Sequence, residues 1–415
     1  MSQTQEILAM PGVRRLLLAR LISNLGNGMA PVALAFAVLE SKGGSASKLG
    51  ILLSVQAISM VLFLPLGGIW ADRHRRPTII ATTDFILGLD LLVTAYLFWS
   101  EQTGMPLLMA LCILAGLLNA FWSPAFPGLV PLVVEEKHLQ QMNGFVSIAS
   151  NIGYISGAAV AGLLVSAFGG AAGIAGDALS FLIAAALVWK LRHRHQVAEP
   201  SGGGMFHELK SGWKVFLSFR WVVVAVAGFS VVMMVMRGAE GVLGPVLMKE
   251  HFGGAKAWAL VATVESIGFV LGSTINTRYK PKHPLYVCTL LSFTAAFYVL
   301  VLRPSTPLVV IAGAALLWGI TIESWYIHWM TALQLHIPRE SLSRVSSYDM
   351  TFSLIFQPIG LAIAGPAIAG LGIAQTSLIG ASVITVAIIV ILFEPTIRTL
   401  SNAHAPGVEQ AGPDS

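Results

Sequence analysis

The 415-residue chain is 55% hydrophobic and 11% charged, with a net charge of +5 and a mean hydropathy of +0.77. Soluble globular domains carry roughly a quarter charged residues, so composition excludes a soluble domain and makes lipid the solvent for most of the surface. The basic residues fall in alternate loops rather than in one patch, which excludes nucleic-acid binding as the origin of the positive charge.

Met1 to Arg15 is polar, and the first apolar run, Leu16 to Leu39, is longer than the apolar stretch of a signal peptide and lacks a small-residue cleavage site. It is read as an uncleaved membrane span. Five more runs follow at Leu49 to Trp70, Thr78 to Trp99, Leu107 to Val130, Met142 to Phe168 and Ile174 to Leu191. Each offers about the 20 mostly apolar residues that a helix needs to cross the hydrocarbon, where only a helix satisfies its own backbone within one segment. Residues 1–191 are therefore expected to form a first six-helix bundle. The stretch from Arg192 to Lys214 interrupts with His193, His195, Pro200 and the run Gly202-Gly203-Gly204, and residues 192–217 read as a flexible linker. A second set runs Trp221 to Leu247, Trp258 to Ile275, Leu285 to Leu302, Leu308 to Leu333, Val345 to Leu371 and Thr376 to Phe393, giving a second bundle over 218–400. Residues 401–415 are polar and read as a disordered tail.

Arg14, Arg73, Arg76, the segment Lys190 to Arg220, Arg339 and Arg398 fall in loops on one side, against Lys42, Lys48, Lys249, Lys256 and Arg303 on the other. By the positive-inside rule both termini and the linker are cytoplasmic, in a multi-pass protein of the cell's inner or plasma membrane. Cys112 and Cys288 both lie in spans, too few for a disulfide framework or a metal site, and read as packing residues.

A gapless offset of 203 residues superposes the halves, pairing Gly116 with Gly319, Trp122 with Trp325, Gly157 with Gly360 and Gly162 with Gly365. The same offset preserves span order and loop sidedness, as a parallel repeat about an axis normal to the membrane requires. The expected fold is an all-α membrane protein of twelve transmembrane helices in two pseudo-symmetric bundles.

Between the second and third spans stands Gly67-Gly68-Ile69-Trp70-Ala71-Asp72-Arg73-His74-Arg75-Arg76-Pro77. Span five carries Gly144, Gly153, Gly157 and Gly162, a spacing of small residues that lets helices pack closely and slide. The first motif resembles the signature of the major facilitator superfamily, although Arg75 replaces its usual glycine and Pro77 its last basic residue. The second resembles that family's antiporter pattern, with Ala158 at the proline and Ala161 at one closing glycine. The run from Phe121 to Pro131, with Leu139 to Gly144 and Asp177 to Phe181, is similar to the branch holding enterobactin exporters and macrolide efflux pumps.

The superfamily resemblance covers essentially the whole chain and implies the two-bundle transporter fold, with helices one, four, seven and ten lining a central cavity. It implies that Gly68, Asp72, Arg73 and Arg76 act in gating: Gly68 permits close helix approach, Asp72 faces a helix N-terminus of the other half, and the arginines pair with acids. The antiporter-like glycines tilt the reading toward export, with simple helix packing as the alternative. Span four lacks the arginine of the common drug-proton antiporters, so coupling must use other groups.

Ionisable residues deep in spans are functional candidates by default. Arg237 and Glu240, three residues apart, can pair on one face of helix seven, either as a proton-exchanging couple or as a structural ion pair. Glu323 on helix ten has no partner in its own span, and a carboxyl in a partly apolar cavity can bind and release protons. Arg237, Glu240 and Glu323 are the coupling candidates. Arg20, Asn24, Asn27 and Pro31 lie within about 40° of one direction on helix one and form a polar stripe facing the cavity, unless Arg20 only anchors near the interface. Trp122, Trp325 and Tyr326 add aromatic wall suited to flat or greasy solutes. Weaker cases are Glu265, on the face of Gly268 and Gly272 and so read as a packing position; Asp84, read with the Arg73 loop; Asp90, read as a structural hydrogen-bonding group; and Asp177, near the outer end of span six.

The expected function is proton-coupled efflux of small amphipathic molecules, such as a drug, antibiotic or siderophore, by alternating access. The alternatives are an importer of the same fold or, more remotely, a non-transporting receptor. No enzyme is expected, because no nucleophile pair or His/Asp cluster falls at convincing spacing. The chain lacks G-x-x-x-x-G-K-[ST], which argues against an attached ATPase. Neither metal nor organic cofactor is expected, the energy source being the proton gradient. The expected partners are a small-molecule substrate and the lipid bilayer, with no nucleic acid, and the chain is expected to act as a monomer.

Overall fold

The computed structural model describes residues 10–135, 138–191, 213–214, 216–278, 281–337 and 339–401. Most of the expected linker and nearly all of the expected tail lie outside these. Every regular element among the described residues is helical, as expected where lipid gives backbone groups no outside partner.

The first half runs α1 (Pro11–Glu40), α2 (Ala46–Arg73), α3 (Arg76–Trp99), α4 (Met105–Ala125), α5 (Leu139–Phe168) and α6 (Gly170–Trp189). Pro11 opens α1 where no N–H is required, and the Ser45 side chain caps α2 by accepting from the Lys48 N–H at 3.1 Å. The second half runs α7 (Arg220–His251), α8 (Ala255–Arg278), α9 (Pro284–Val301), α10 (Leu308–His336), α11 (339–371) and α12 (373–392). Phe356 interrupts α11, and Gly372 divides α11 from α12. The twelve-helix arrangement is as the apolar runs predict.

The repeat has a backbone signature. Gly169 turns α5 into α6 at φ 83°, and Gly372, 203 residues on, turns α11 into α12 at φ 78°. Both need the left-handed region, which glycine enters without a Cβ penalty. The offset changes toward the start of each half. Gly116 of α4 backs onto the Gln56 carbonyl of α2, and Gly319 of α10 backs onto the Glu265 carbonyl of α8. Gln56 and Glu265 are therefore counterparts 209 residues apart, as are Ala46 and Ala255, which open their helices. The difference of six is absorbed where the 24-residue α3 answers to the 18-residue α9.

Burial decides how the halves meet. One apolar core draws on both, joining Phe36, Leu49 and Leu52 to Val242, Leu247 and Trp258 at the end away from the termini. Two other cores are confined to one half each, one around Leu16, Ile80 and Met142, the other around Trp221, Leu285 and Leu333. At the joined end Ser54 Oγ donates to the Pro358 carbonyl at 2.9 Å, Lys249 Nζ donates to the Leu39 carbonyl, and Gly50 backs onto Leu361. Among the described residues the halves thus join at this end, while at the end where α1 begins and α12 finishes each half keeps its own core.

The last residues of the expected linker belong to the second half. Trp213 and Phe216 pack on Tyr348 and Phe352 of α11 at ring separations of 5.4 to 5.9 Å, and Phe216 is buried.

Candidate functional site: a cavity between the halves

A cavity of about 580 Å³ lies between the halves, within the range of drug-sized ligand sites. Its second-half wall is built around an irregularity in α7. Pro245 has no N–H to give to the carbonyl four residues back, and the helix widens into a π turn over Ala239–Leu243. Glu240 sits in that turn. Its Oε1 accepts from Trp318 Nε1 of α10 at 3.1 Å, and its Oε2 lies 3.9 Å from Arg237 Nη1. Arg237 Nε donates to Gln357 Oε1 of α11 at 3.1 Å, and Gln357 Nε2 donates to the Ser353 carbonyl. Half of the Arg237 side chain, 53%, stays accessible. The contact is loose, and the guanidinium is shared with Gln357.

Sequence reasoning missed the partner that matters most. The backbone of α8 packs through Gly268 and Gly272 onto α10, as expected, yet the Glu265 side chain lines the cavity and its carboxyl stands beside that of Glu240. Its standing as an intramembrane acid was the available signal. Tyr154 of α5 stands across the cavity within electrostatic reach of Glu240, Glu265 and Arg237.

The first-half wall presents Asn27, Gln56, Asp90, Asn119 and Asp177. Asp90 and Asp177 are buried, and Oδ1 of each has no hydrogen-bond partner among the described residues. Cys112 lines the same wall, whereas Cys288 is buried in the second-half core.

The polar stripe of α1 divides. Asn27 lines the cavity, but Arg20 and Asn24 do not. Arg20 Nε donates to Ser150 Oγ at 2.8 Å, and its guanidinium lies over the rings of Phe126 and Trp122 at 4.2 and 5.2 Å. Asn24 is buried and donates to the Arg20 carbonyl. Trp122 stacks on Phe126 at 5.0 Å within the first half rather than lining the cavity. Buried Asp84 belongs to this group, within Coulombic reach of Arg20, and not to the Arg73 loop.

Glu323, Trp325 and Tyr326 line a second cavity, of about 610 Å³, inside the second half. It shares Met233, Phe269, Ile322 and Gln357 with the first, so the two adjoin. Trp325 is stacked between Phe229 and Trp329, and Tyr326 is 60% exposed. Glu323 and Glu240 thus do not share one cavity.

At the α2–α3 turn the close approach is made by Gly67, not Gly68. A Cβ on Gly67 would lie 2.1 Å from the Ala120 carbonyl, whereas one on Gly68 would meet nothing within 4 Å. Arg73 is exposed at the end of α2 and Arg76 opens α3, while the Asp72 side chain lies outside the described residues. In α5, Gly153 and Gly157 pack against the α1 backbone at Leu21 and Leu25, Gly162 meets Ala259 across the halves, and Gly144 faces open space. Gly67→Ala should therefore cost about 1–3 kcal/mol of stability through overpacking against backbone. Gly68→Ala should stay within about 0.5 kcal/mol. Melting temperatures of the two purified variants compare them directly, and equal values would refute the assignment.

The sequence matches the model of the Major Facilitator Superfamily over residues 16–361, most of the chain. The chain belongs to the major facilitator superfamily. It is 24% identical over 353 residues to macrolide efflux protein A of Streptococcus pyogenes, covering 83% of this chain and 86% of that one. It is 24% identical over 408 residues to the multidrug efflux pump Tap of Mycolicibacterium fortuitum, covering 94% and 97%. Among solved structures, the nucleoside transporter NupG superposes with a TM-score of 0.72 at 14% identity, over 92% of this chain and 98% of that one. A bacterial homologue of the iron transporter ferroportin in an inward-facing state gives 0.70 at 15% identity, over 92% and 98%. These likenesses agree with the twelve-helix fold, and the chain is a membrane transporter of this superfamily rather than an enzyme.

Proposed function

We propose that this transporter is a proton-driven exporter of small amphipathic molecules, working by alternating access as a monomer. The observation that carries the reading is the Glu240–Glu265 contact inside the cavity. Two carboxyls side by side repel unless one carries a proton, so the pair offers a proton site facing the solute space. Arg237 offers the deprotonated pair a counter-charge within reach. No organic cofactor enters the scheme. Efflux, rather than import, is favoured by the macrolide and multidrug efflux relatives and by the small-residue spacing of α5. The sidedness of the basic loops supports a cytoplasmic position for the end where α1 begins and α12 finishes, which is where an exporter loads.

The test is dye and antibiotic accumulation in drug-sensitive cells, with and without a protonophore. Lower accumulation that the protonophore reverses is the expected result, and higher accumulation would establish an importer instead. In the same cells a cysteine at Gly203 should resist an impermeant maleimide added outside; labelling there would refute the orientation.

A further inference from the structure

We infer that the cavity inside the second half is a solute site separate from the central one, and that it takes flat aromatic molecules by stacking, with no charge required of them. This goes beyond the efflux reading and does not depend on the direction of transport.

The repeat shows why a cavity stands here. Gly157 of α5 backs onto the Leu25 carbonyl of α1, and Gly360 of α11 backs onto the Met234 carbonyl of α7. Leu25 and Met234 are thus counterparts 209 residues apart, the spacing that also relates α2 to α8, and Arg20 answers to Phe229. The 203-residue offset makes Trp325, Trp329 and Ser353 the counterparts of Trp122, Phe126 and Ser150. In the first half, Arg20 lies over the Trp122–Phe126 stack and reaches Ser150 Oγ at 2.8 Å. In the second half, Phe229 stacks on Trp325 at 4.6 Å, and Ser353 Oγ donates to Asp349 Oδ1 at 3.4 Å instead. Where the first half lays its own flat guanidinium across a ring stack, the second half has a cavity of about 610 Å³ lined by Phe229, Trp325, Trp329 and Ser353.

The rest of the wall selects for rings. Phe269 and Tyr326 add two more, and the Tyr326 ring is exposed. Met233, Met330 and Met350 bring flexible, polarisable thioethers, which adapt to aromatic bodies of varied outline. Offset and edge-to-face contacts between rings are attractive without any net charge. Asp349 spends both oxygens within the protein, on Trp329 Nε1 at 2.8 Å and on Ser353 Oγ, which leaves Glu323 as the acid available to accept an N–H or O–H from a solute. The described lining holds no basic side chain, so an anion finds no partner there.

The experiment measures binding of two neutral compounds to the purified protein in detergent by equilibrium dialysis: acridone, which is flat, and ortho-aminobenzophenone, which has the same two benzene rings and heteroatoms but twists. Acridone should bind about tenfold more tightly, equivalent to about 1.4 kcal/mol. Tyr326→Ala should remove most of that preference. Phe229→Arg, which recreates the first-half arrangement, should abolish acridone binding; should it fail to fold, Tyr326→Ala decides, because its exposed ring is not needed for packing. Acridone should also protect Met350→Cys, in this cavity, from N-ethylmaleimide while leaving Asn27→Cys, in the central cavity, unprotected. Equal binding of the two compounds, no binding of acridone, an unaltered preference in Tyr326→Ala, or protection of Asn27→Cys would overturn the inference.

Discussion

Glu240→Gln is expected to abolish gradient-driven transport while leaving the protein folded and able to exchange solute across the membrane without a gradient. The amide keeps the size of the side chain and can still accept from Trp318 Nε1, so the π turn of α7 has no reason to collapse. What the amide cannot do is carry the titrating proton of the pair. Removing a positioned proton-transfer group costs on the order of 100-fold or more in rate, and a loss of that size is expected for proton-driven uptake into inverted vesicles. Glu265→Gln should do the same. As one proton site, the two carboxyls should give a double variant little worse than either single one, the non-additivity of groups that act as a unit. Glu323→Gln should keep gradient-driven transport, because its carboxyl lines the other cavity. Proton drive that survives in both Glu240→Gln and Glu265→Gln would remove the pair from the mechanism. Loss of exchange together with drive would mark it as structural.

Gly365→Leu is expected to shift the transporter toward the state open at the end away from the termini. A Cβ at Gly365 of α11 would lie 2.4 Å from the Ser47 Cα of α2, a backbone atom that cannot turn aside. That contact exists only while this end is sealed, so the added side chain penalises one state of the cycle and spares the other. Overpacking of this kind costs about 1–3 kcal/mol, which converts to roughly 5- to 150-fold in the ratio of the two states at 1.4 kcal/mol per tenfold. The measurement is labelling of Asn27→Cys, in the cavity, by an impermeant thiol reagent applied from each side of the membrane. Wild type should label from the side of the termini and Gly365→Leu from the other. Unchanged sidedness with a normal melting temperature would show that the α2–α11 contact does not seal the cavity.

The reading of α8 shows where sequence inference ran out. Its face bearing Gly268 and Gly272 packs on α10 as the spacing implies, and that success hid Glu265, whose backbone lies on the packed face while its carboxyl reaches the cavity. Arg20 and Asn24 failed in the opposite sense. They share a stripe with Asn27, but α1 is covered by α5 at their level, where Ser150 and Gly153 meet it. The shift from Gly68 to Gly67 is a rotation of one residue, about 100° on a helix, which a motif shared by adjacent glycines cannot resolve.

The sequence by itself determined the class of the protein. Twelve apolar runs, their sidedness and the 203-residue repeat are sums over about 20 residues each, and burial in lipid depends on such sums rather than on any single contact. The superfamily signature was legible for the same reason, as a local word at a helix end. Only the tertiary structure decided the site. Which acids share a cavity depends on the rotation of each helix, on the extra residue of the π turn at Ala239–Leu243, and on the six residues by which α9 falls short of α3. The meeting of Glu240 with Glu265, the burial of Asp177 against Gly26 of α1 and the joining of the halves at one end are contacts between segments far apart in the chain. Their geometry is set by how whole helices pack, which local hydropathy does not encode.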